Sequence, residues 1–206
     1  MSDNDNQEQA SGNQAQGSGD QPQSKFEEQL QKGIQLVEER KFNESLEIAR
    51  ELQGMESDAA EGFHLEAIVM QHQQQWHESV VALDKALQNA ENDAGLYNLR
   101  GFAYMSMDKL DEAESDFDQA VELENFEPAH RNKVLLKILQ NKGNEAIDYL
   151  IDRIKQKPGD PENWIMMGDL MRRGGQEEKA RSYYEQAQKL DPNNEYVKKM
   201  LNQQDS

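Results

Sequence analysis

Small residues return along this chain at an almost constant interval. Glu44-Ser45 recurs as Glu78-Ser79, Glu112-Ala113 and Glu145-Ala146, and Ala180 extends the series, at successive spacings of 34, 34, 33 and 34 residues. A period of that length restricts a chain to stacked copies of one supersecondary element. A single copy is too small to bury its own apolar face and must press it against the next. Function is then expected on a surface that spans several copies.

The last copy is the clearest: Trp164, Met167, Gly168 and Met171, then Ala180, Tyr184, Ala187, Leu190 and Pro192, closing at Asn194. It resembles the tetratricopeptide repeat, a helix-turn-helix family whose pattern runs Trp, two residues, Leu-Gly, two residues, Tyr, then Ala, three residues, Phe, and a late Pro. The Leu and Tyr slots differ here, both being Met, and the Phe slot is filled by Tyr184. The copy from Ala94 supplies Tyr97, Gly101, Tyr104, Ala113, Phe117 and Ala120, and the one from Ala60 supplies Phe63, Ala67, Met70, Ser79, Leu83 and Ala86. The first, from Phe26, keeps Gly33, Leu36, Ser45 and Leu46, with Gln29 and Ala49 in the aromatic slots. The fourth is one residue short. Placing its gap in the inner turn lets Pro128 and Pro161 both open a first helix, where a missing N–H costs nothing. Val134, Leu135 and Ile138 then face inward, whereas the other register points Lys137 into the core.

The resemblance implies an all-α, right-handed α-solenoid. Its repeats span 26–59, 60–93, 94–127, 128–160 and 161–194 within a region of 25–194, followed by a capping helix and C-terminus at 195–206. Elementary packing supports that layout. Gly33, Ala67, Gly101 and Gly168 on the first helices stand opposite Ser45, Ser79, Ala113 and Ala180 on the second, which allows helix axes to approach to about 8 Å. Asn43, Asp111 and Asn144 are placed to cap the second helices. Ala113, Phe117, Ala120 and Val121 recur at helical steps as one buried stripe. Pro158-Gly159-Asp160-Pro161 and Asp191-Pro192-Asn193-Asn194 are turn signals. Phe42 and Trp76 share the position just before the second helix and are expected to seal the inner turn. From Glu195 to Gln203, Tyr196, Met200 and Leu201 share one side of a short helix that closes the stack.

Residues 1–24 contain no Phe, Trp, Tyr, Leu, Ile or Val, and are dominated by Gln, Asn, Ser, Gly and Asp. Such a segment is expected to be disordered. It fits neither a signal peptide nor an Arg-rich transit peptide, and no apolar run reaches spanning length. The sequence has no cysteine, which removes disulfides and thiolate metal sites and agrees with a bacterial cytoplasmic location. The net charge is −18, distributed as −3 over residues 1–25, then −5, −5, −7, +3 and −1 over the five copies. That surface repels phosphates and anionic lipid, so neither nucleic acid nor membrane is the expected partner. The basic fourth copy, with Arg131, Lys133, Lys137, Lys142, Arg153, Lys155 and Lys157, is the exception. It faces either an acidic partner segment or its own acidic neighbour.

Catalysis has no foothold in the pattern. Gly33, Gly101 and Gly168 are isolated at repeat spacing, and Gly174-Gly175 belongs to a turn, so no phosphate loop is present. Glu61-x-x-His64 and Glu127-x-x-His130 carry the spacing used in di-iron bundles, but two copies apart they sit on the order of 20 Å from each other. No Ser, His and acid converge. No enzyme activity, metal or cofactor is expected.

In the resembling family the first helices line a concave face, and the second, fifth, ninth, twelfth and thirteenth positions of each unit are exposed there. Carried over, that face presents Leu30 and Ile34, then His64, Ile68 and Gln71, then Asn98, Phe102 and Met105. It continues with Asn132, Leu136 and Leu139 and ends with Ile165, Asp169, Arg172 and Arg173. The Lys and Asn clamp by which some relatives hold acidic chaperone tails is absent, its paired positions reading Leu30/Ile34, His64/Ile68, Asn98/Phe102, Asn132/Leu136 and Ile165/Asp169. The expectation is a non-enzymatic scaffold or adaptor. Phe102, Met105, Leu136 and Leu139 would anchor a peptide or helix of a partner protein while Asn98 and Asn132 hold its backbone. The alternative is a small cytoplasmic chaperone for a secreted or assembling subunit. A second copy of the chain is another candidate occupant of the same face.

Overall fold

One turn, used at every inner connection, organises the chain. The computed structural model describes residues 22–55 and 59–203, and the described residues form eleven helices and no strand. They run α1 (Pro22–Glu38), α2 (Phe42–Gln53), α3 (Ala59–His72), α4 (Trp76–Asn89), α5 (Ala94–Ser106), α6 (Leu110–Glu124), α7 (Glu127–Leu139), α8 (Gly143–Gln156), α9 (Pro161–Arg173), α10 (Glu177–Leu190) and α11 (Glu195–Gln203). Each odd-numbered helix up to α9 is joined to its successor by three residues, and the middle one is left-handed: Arg40, Gln74, Asp108, Asn141 and Gly175, with φ between 59° and 70°. The following N–H then reaches back five residues, Lys41 to the Leu36 carbonyl, Gln75 to Met70, Lys109 to Tyr104, Lys142 to Lys137 and Gln176 to Met171, at 2.8–2.9 Å. This is the Schellman closure, which satisfies carbonyls the helix end leaves orphaned. The expected disordered segment lies outside the described residues over 1–21, and α1 begins at Pro22.

The turn also corrects two expectations. The second helices start at Phe42, Trp76, Leu110, Gly143 and Glu177, and their N-cap residues make no side-chain cap bond, so Asn43, Asp111 and Asn144 already lie inside helices. The turn brings the chain straight from one helix into the next and leaves no extended residue where a side chain can cap. Side-chain caps appear instead at outer connections, where Asp93 accepts from the Leu96 N–H and Asp160 from the Glu162 N–H, both at 3.0 Å.

The second correction is the register of the fourth copy. Its inner turn has the same three residues as the others, so the missing residue lies in the outer connection. Only Asn125 and Phe126 separate α6 from α7, against four residues between α4 and α5 or between α8 and α9. Aligned by the turn, the fourth copy starts at Glu127, and the buried Ala129 takes the place of Gly62, Leu96 and Asn163. Lys137 then does occupy the inward position filled elsewhere by Leu36 and Met171. It is tolerated because only its aliphatic stem is buried, while Nζ emerges to the Glu145 carboxylate at 3.1 Å.

Within this frame the core is a ladder. Ala49, Leu83, Phe117, Leu150 and Tyr184 hold one equivalent position on the second helices, and all are fully buried. Each large member contributes about 1.5–3 kcal/mol of burial. The small residues opposite them let the backbones meet: Ser45 Oγ donates to the Gly33 carbonyl at 3.0 Å, and a Cβ on Gly101 would stand 2.7 Å from the Phe117 ring. Hairpin four departs, with Val134 at the crossing position, and α7 packs less extensively on α8 than its counterparts do. At the end of the stack α11 buries Val197, Met200 and Leu201 against the fifth hairpin, while Tyr196 stays largely exposed.

Charged networks tie successive hairpins together. Arg100 grips Asp116 with two bonds of 2.9 and 2.7 Å, reaches Asp84 at 2.6 Å, and lies over the Tyr97 and Tyr104 rings. It thereby joins α4, α5 and α6. The guanidinium is held well above its ordinary range by the bond to Asp116, whereas burial pushes the Asp116 carboxyl up. At the short α6–α7 connection, the left-handed Asn125 receives the His130 Nε2–H at 2.6 Å. The Tyr149 hydroxyl donates to Nδ1, and Glu127 pairs with Arg153 at 2.5 Å and with Lys157. Glu127 and His130, one of the two Glu-x-x-His spacings, are therefore committed to structural partners.

Two outcomes follow from these contacts. Gly101→Val drives a branched side chain into Phe117 and lowers stability by about 1–3 kcal/mol. By contrast Gly143→Ala, with nothing within 4 Å of the new methyl, is neutral or stabilising by up to about 1 kcal/mol. Denaturant unfolding of both variants checks the pair. Burial first, then the positive charge of Arg153, lowers the His130 pKa from 6.5 to about 4. A neutral imidazole in the folded state makes its stabilisation complete above about pH 6.5 and lost as pH falls toward 4, by up to about 1.4 kcal/mol per pH unit. Burial lowers His64 in the same direction. Unfolding midpoints at pH 6.5 and 4.5 are expected to converge in His130→Gln relative to the parent. An equal drop in both proteins rejects the assignment.

Candidate functional site

The odd-numbered helices lie beside one another and form one face of the stack, with α1 touching α3 and α5 touching α7 directly. Turn-aligned, the fifth, ninth and twelfth positions of each hairpin look onto this face. In the first three hairpins these positions carry the residues named from the sequence. His64 is half-buried on α3, and Ile68 and Phe42 pack against the same core cluster. Gln71 is not open for a ligand, since its amide donates to the Leu99 carbonyl at 2.9 Å and to Ser79 at 3.2 Å. Phe102 and Met105 are half-buried on α5, Phe102 meeting the Trp76 indole edge-on at 5.9 Å. Asn132 donates to the Asn98 carboxamide oxygen at 2.8 Å, so the two amides expected to act together are in contact. That bond leaves the Asn98 amide N–H groups and the Asn132 oxygen to serve another molecule.

The fourth hairpin changes the membership of the site. Leu136 is 1% exposed and packs with Ala113 and Phe117, so it is core and not an anchor. Leu139 is 54% exposed and takes the thirteenth position, the one that Arg173 holds in the fifth hairpin. The Leu136 correction follows from the outer-loop deletion, which moves every assignment on α7 by one residue and so places Arg131 fifth and Asn132 sixth in its hairpin. The groove positions there belong to Arg131, Leu135 and Ile138. Their sequence signal was the recurrence of buried residues at the third and tenth positions, Ala129 and Leu136 among them, which the polarity of Lys137 concealed.

These corrected residues line a cleft of about 230 Å³ between α7 and α9. Its apolar wall comprises Val134, Leu135 and Ile138 from α7 with Ile165, Met166 and Leu170 from α9. Ile165, an expected groove residue, is only 7% exposed yet contributes to this wall. Arg131, Glu162, Asp169 and Arg173 supply its polar atoms. Arg131 pairs with Glu162 at 3.0 Å, both ends exposed, a bond of small net worth. One Asp169 oxygen accepts from the Tyr184 and Tyr196 hydroxyls, each at 2.6 Å, which draws α11 onto α9. Burial, then the bond to Asp169, raises both tyrosines above their ordinary range. Arg172, the remaining expected residue, lies outside the cleft, its pKa raised by the bond to Tyr184. Arg173 has no hydrogen-bond or ion-pair partner among the described residues.

Among the described residues, no group of three or more His, Cys, Asp or Glu is arranged to hold a metal ion, and no helix is long and apolar enough to cross a membrane. The face can offer apolar contact, amide hydrogen bonds and one unpaired cation. Groups of these kinds are what protein interfaces in general use.

Comparison with known proteins bears on the repeat itself. Residues 94–126 and 161–194 each match the tetratricopeptide repeat family. The first match ends at Phe126, where the structure places the boundary. No curated protein matches the chain. Among solved structures, the fold is similar to that of Pseudomonas aeruginosa pilF, at 17% identity over 85% of this chain and 80% of that one, with a TM-score of 0.68. A thermophilic TPR protein of Thermus thermophilus aligns at 15% identity over 86% and 97% of the two chains, also with a TM-score of 0.68. YrrB, a TPR protein with an unusual peptide-binding site, aligns at 18% identity over 82% and 88%, with a TM-score of 0.55. Identities this low speak to the fold alone. Two copies, at 94–126 and 161–194, are thus tetratricopeptide repeats by sequence, and the same hairpin is stacked at that period through all five.

Proposed function

We propose that this protein is a non-enzymatic interaction module that takes a peptide or helical segment of a partner protein along the face of its odd-numbered helices. The supporting observation is the row of half-buried apolar side chains at one position per hairpin, Ile68, Phe102 and Leu135, which leads into the α7–α9 cleft and passes the bonded Asn98–Asn132 pair. Contiguous apolar area on a soluble surface marks an interaction site. The amides can hold a partner's backbone, one donating and the other accepting. Charged side chains elsewhere on the stack are absorbed by the Arg100 and Arg153 networks, which brace hairpins and present no reactive group. A cytoplasmic setting suits the cysteine-free, strongly acidic sequence.

The test is display selection of random twelve-residue peptides on the parent protein and on a Phe102→Ser/Leu135→Ser double variant. Circular dichroism is used to establish that both are folded. Enrichment on the parent that falls at least tenfold on the variant is the expected result. Equal enrichment on both overturns the reading.

A further inference from the structure

The position that opens each second helix acts as a wedge between neighbouring first helices. Phe42 stacks on His72 at 5.8 Å and packs against the same core cluster as Ile68, Trp76 meets Phe102, and Leu110 joins the cluster of Phe117 and Leu136. In the fourth hairpin this position is Gly143, and nothing lies within 4 Å of where its Cβ would stand. Trp76 contacts the ninth position of the following hairpin, so a side chain at 143 would be directed at Asp169, which lines the cleft. By that analogy the unfilled wedge position of the fourth hairpin points toward the cleft, whose lining comes from α7 and α9. Val134 at the helix crossing loosens α7 on α8 and adds to the opening.

Its size and chemistry restrict what can enter. A cavity of about 150 Å³ holds a benzene ring, so about 230 Å³ accommodates one phenylalanine or leucine side chain and is small for most cofactors. Among the charges at its edge, Glu162 is occupied by Arg131 and Asp169 by two hydroxyls, leaving Arg173 as the cation without a partner. The rest of the chain has little of that chemistry in its sequence. Residues 1–21 offer Met1 as their one large apolar side chain, and 56–58 and 204–206 read Glu-Ser-Asp and Gln-Asp-Ser. A second copy is opposed by a net charge of −18 on each.

We propose that the α7–α9 cleft is the specificity pocket of the groove, taking one bulky aliphatic or aromatic side chain of a partner peptide with an adjacent acidic residue set against Arg173. This rests on the groove reading above and names the chemistry the groove selects.

Gly143→Phe tests it with little risk to the fold, because the substitution fills open space at a helix start and mimics Phe42. The parent, Gly143→Phe and Arg173→Glu are each taken through the same random-peptide selection. The parent is expected to enrich peptides in which a bulky apolar residue adjoins Asp or Glu. Gly143→Phe is expected to lose that motif at least tenfold with an unchanged or higher Tm, and Arg173→Glu to replace the acidic neighbour by Lys or Arg. A parent motif that persists in Gly143→Phe, while the Phe102→Ser/Leu135→Ser variant loses it, overturns the pocket and leaves the groove reading standing. Absence of enrichment on the parent overturns both. Sedimentation equilibrium supplies the last arm: a dimer that Gly143→Phe dissociates assigns the cleft to a second copy and overturns the peptide.

Discussion

The close approach of two helices at a single small-residue crossing is the contact on which this architecture depends. Where Gly101 meets Phe117 or Gly168 meets Tyr184, the absence of a Cβ lets an aromatic ring lie against backbone. Ring and helix then become one layer that the next hairpin can cover. The Schellman turn sets the angle at which each pair enters that contact, and its left-handed residue is glycine only at Gly175. Arg40, Gln74, Asp108 and Asn141 adopt the same conformation without that freedom. Closure of the turn and burial of the ladder behind it outweigh a local penalty of about 1–2 kcal/mol per residue.

Repetition of that contact makes departures from it meaningful. Hairpin four has a shortened outer loop, a valine where the others have glycine or alanine, a histidine in the aromatic slot and a glycine in place of the wedge. The histidine is accommodated by a network that satisfies both ring nitrogens, which leaves it neutral and structural. The glycine and valine have the opposite effect and leave space. One hairpin thus combines the most heavily cross-linked outer corner of the stack with its most open inner face.

Charge follows the same division. Like-charge repulsion among the acidic hairpins one to three opposes the approach of a second copy. The basic residues of hairpin four are mostly spent internally, Lys133 on Asp118, Lys137 on Glu145, and Arg153 with Lys157 on Glu127. Most of those pairs close within the hairpin itself, Lys133–Asp118 crosses to the third, and at the rim of the cleft Arg173 of the fifth hairpin stands toward a ligand.

The sequence alone determined the period, the helix pairs, the small-residue crossings and the face made by the first helices, since these depend on spacing and side-chain size, which are properties of the chain read in order. Tertiary structure alone decided the register of α7. A lysine can place its stem in a core and its ammonium in solvent, so residue polarity argued for the wrong side of a one-residue gap, and Leu136 was exchanged for Leu135 at the groove. It also decided that Asn98 and Asn132 bind each other and that the space at Gly143 is open. Both depend on which side chains from distant hairpins meet, and a one-residue shift along a helix turns a side chain by about 100° and changes every such meeting.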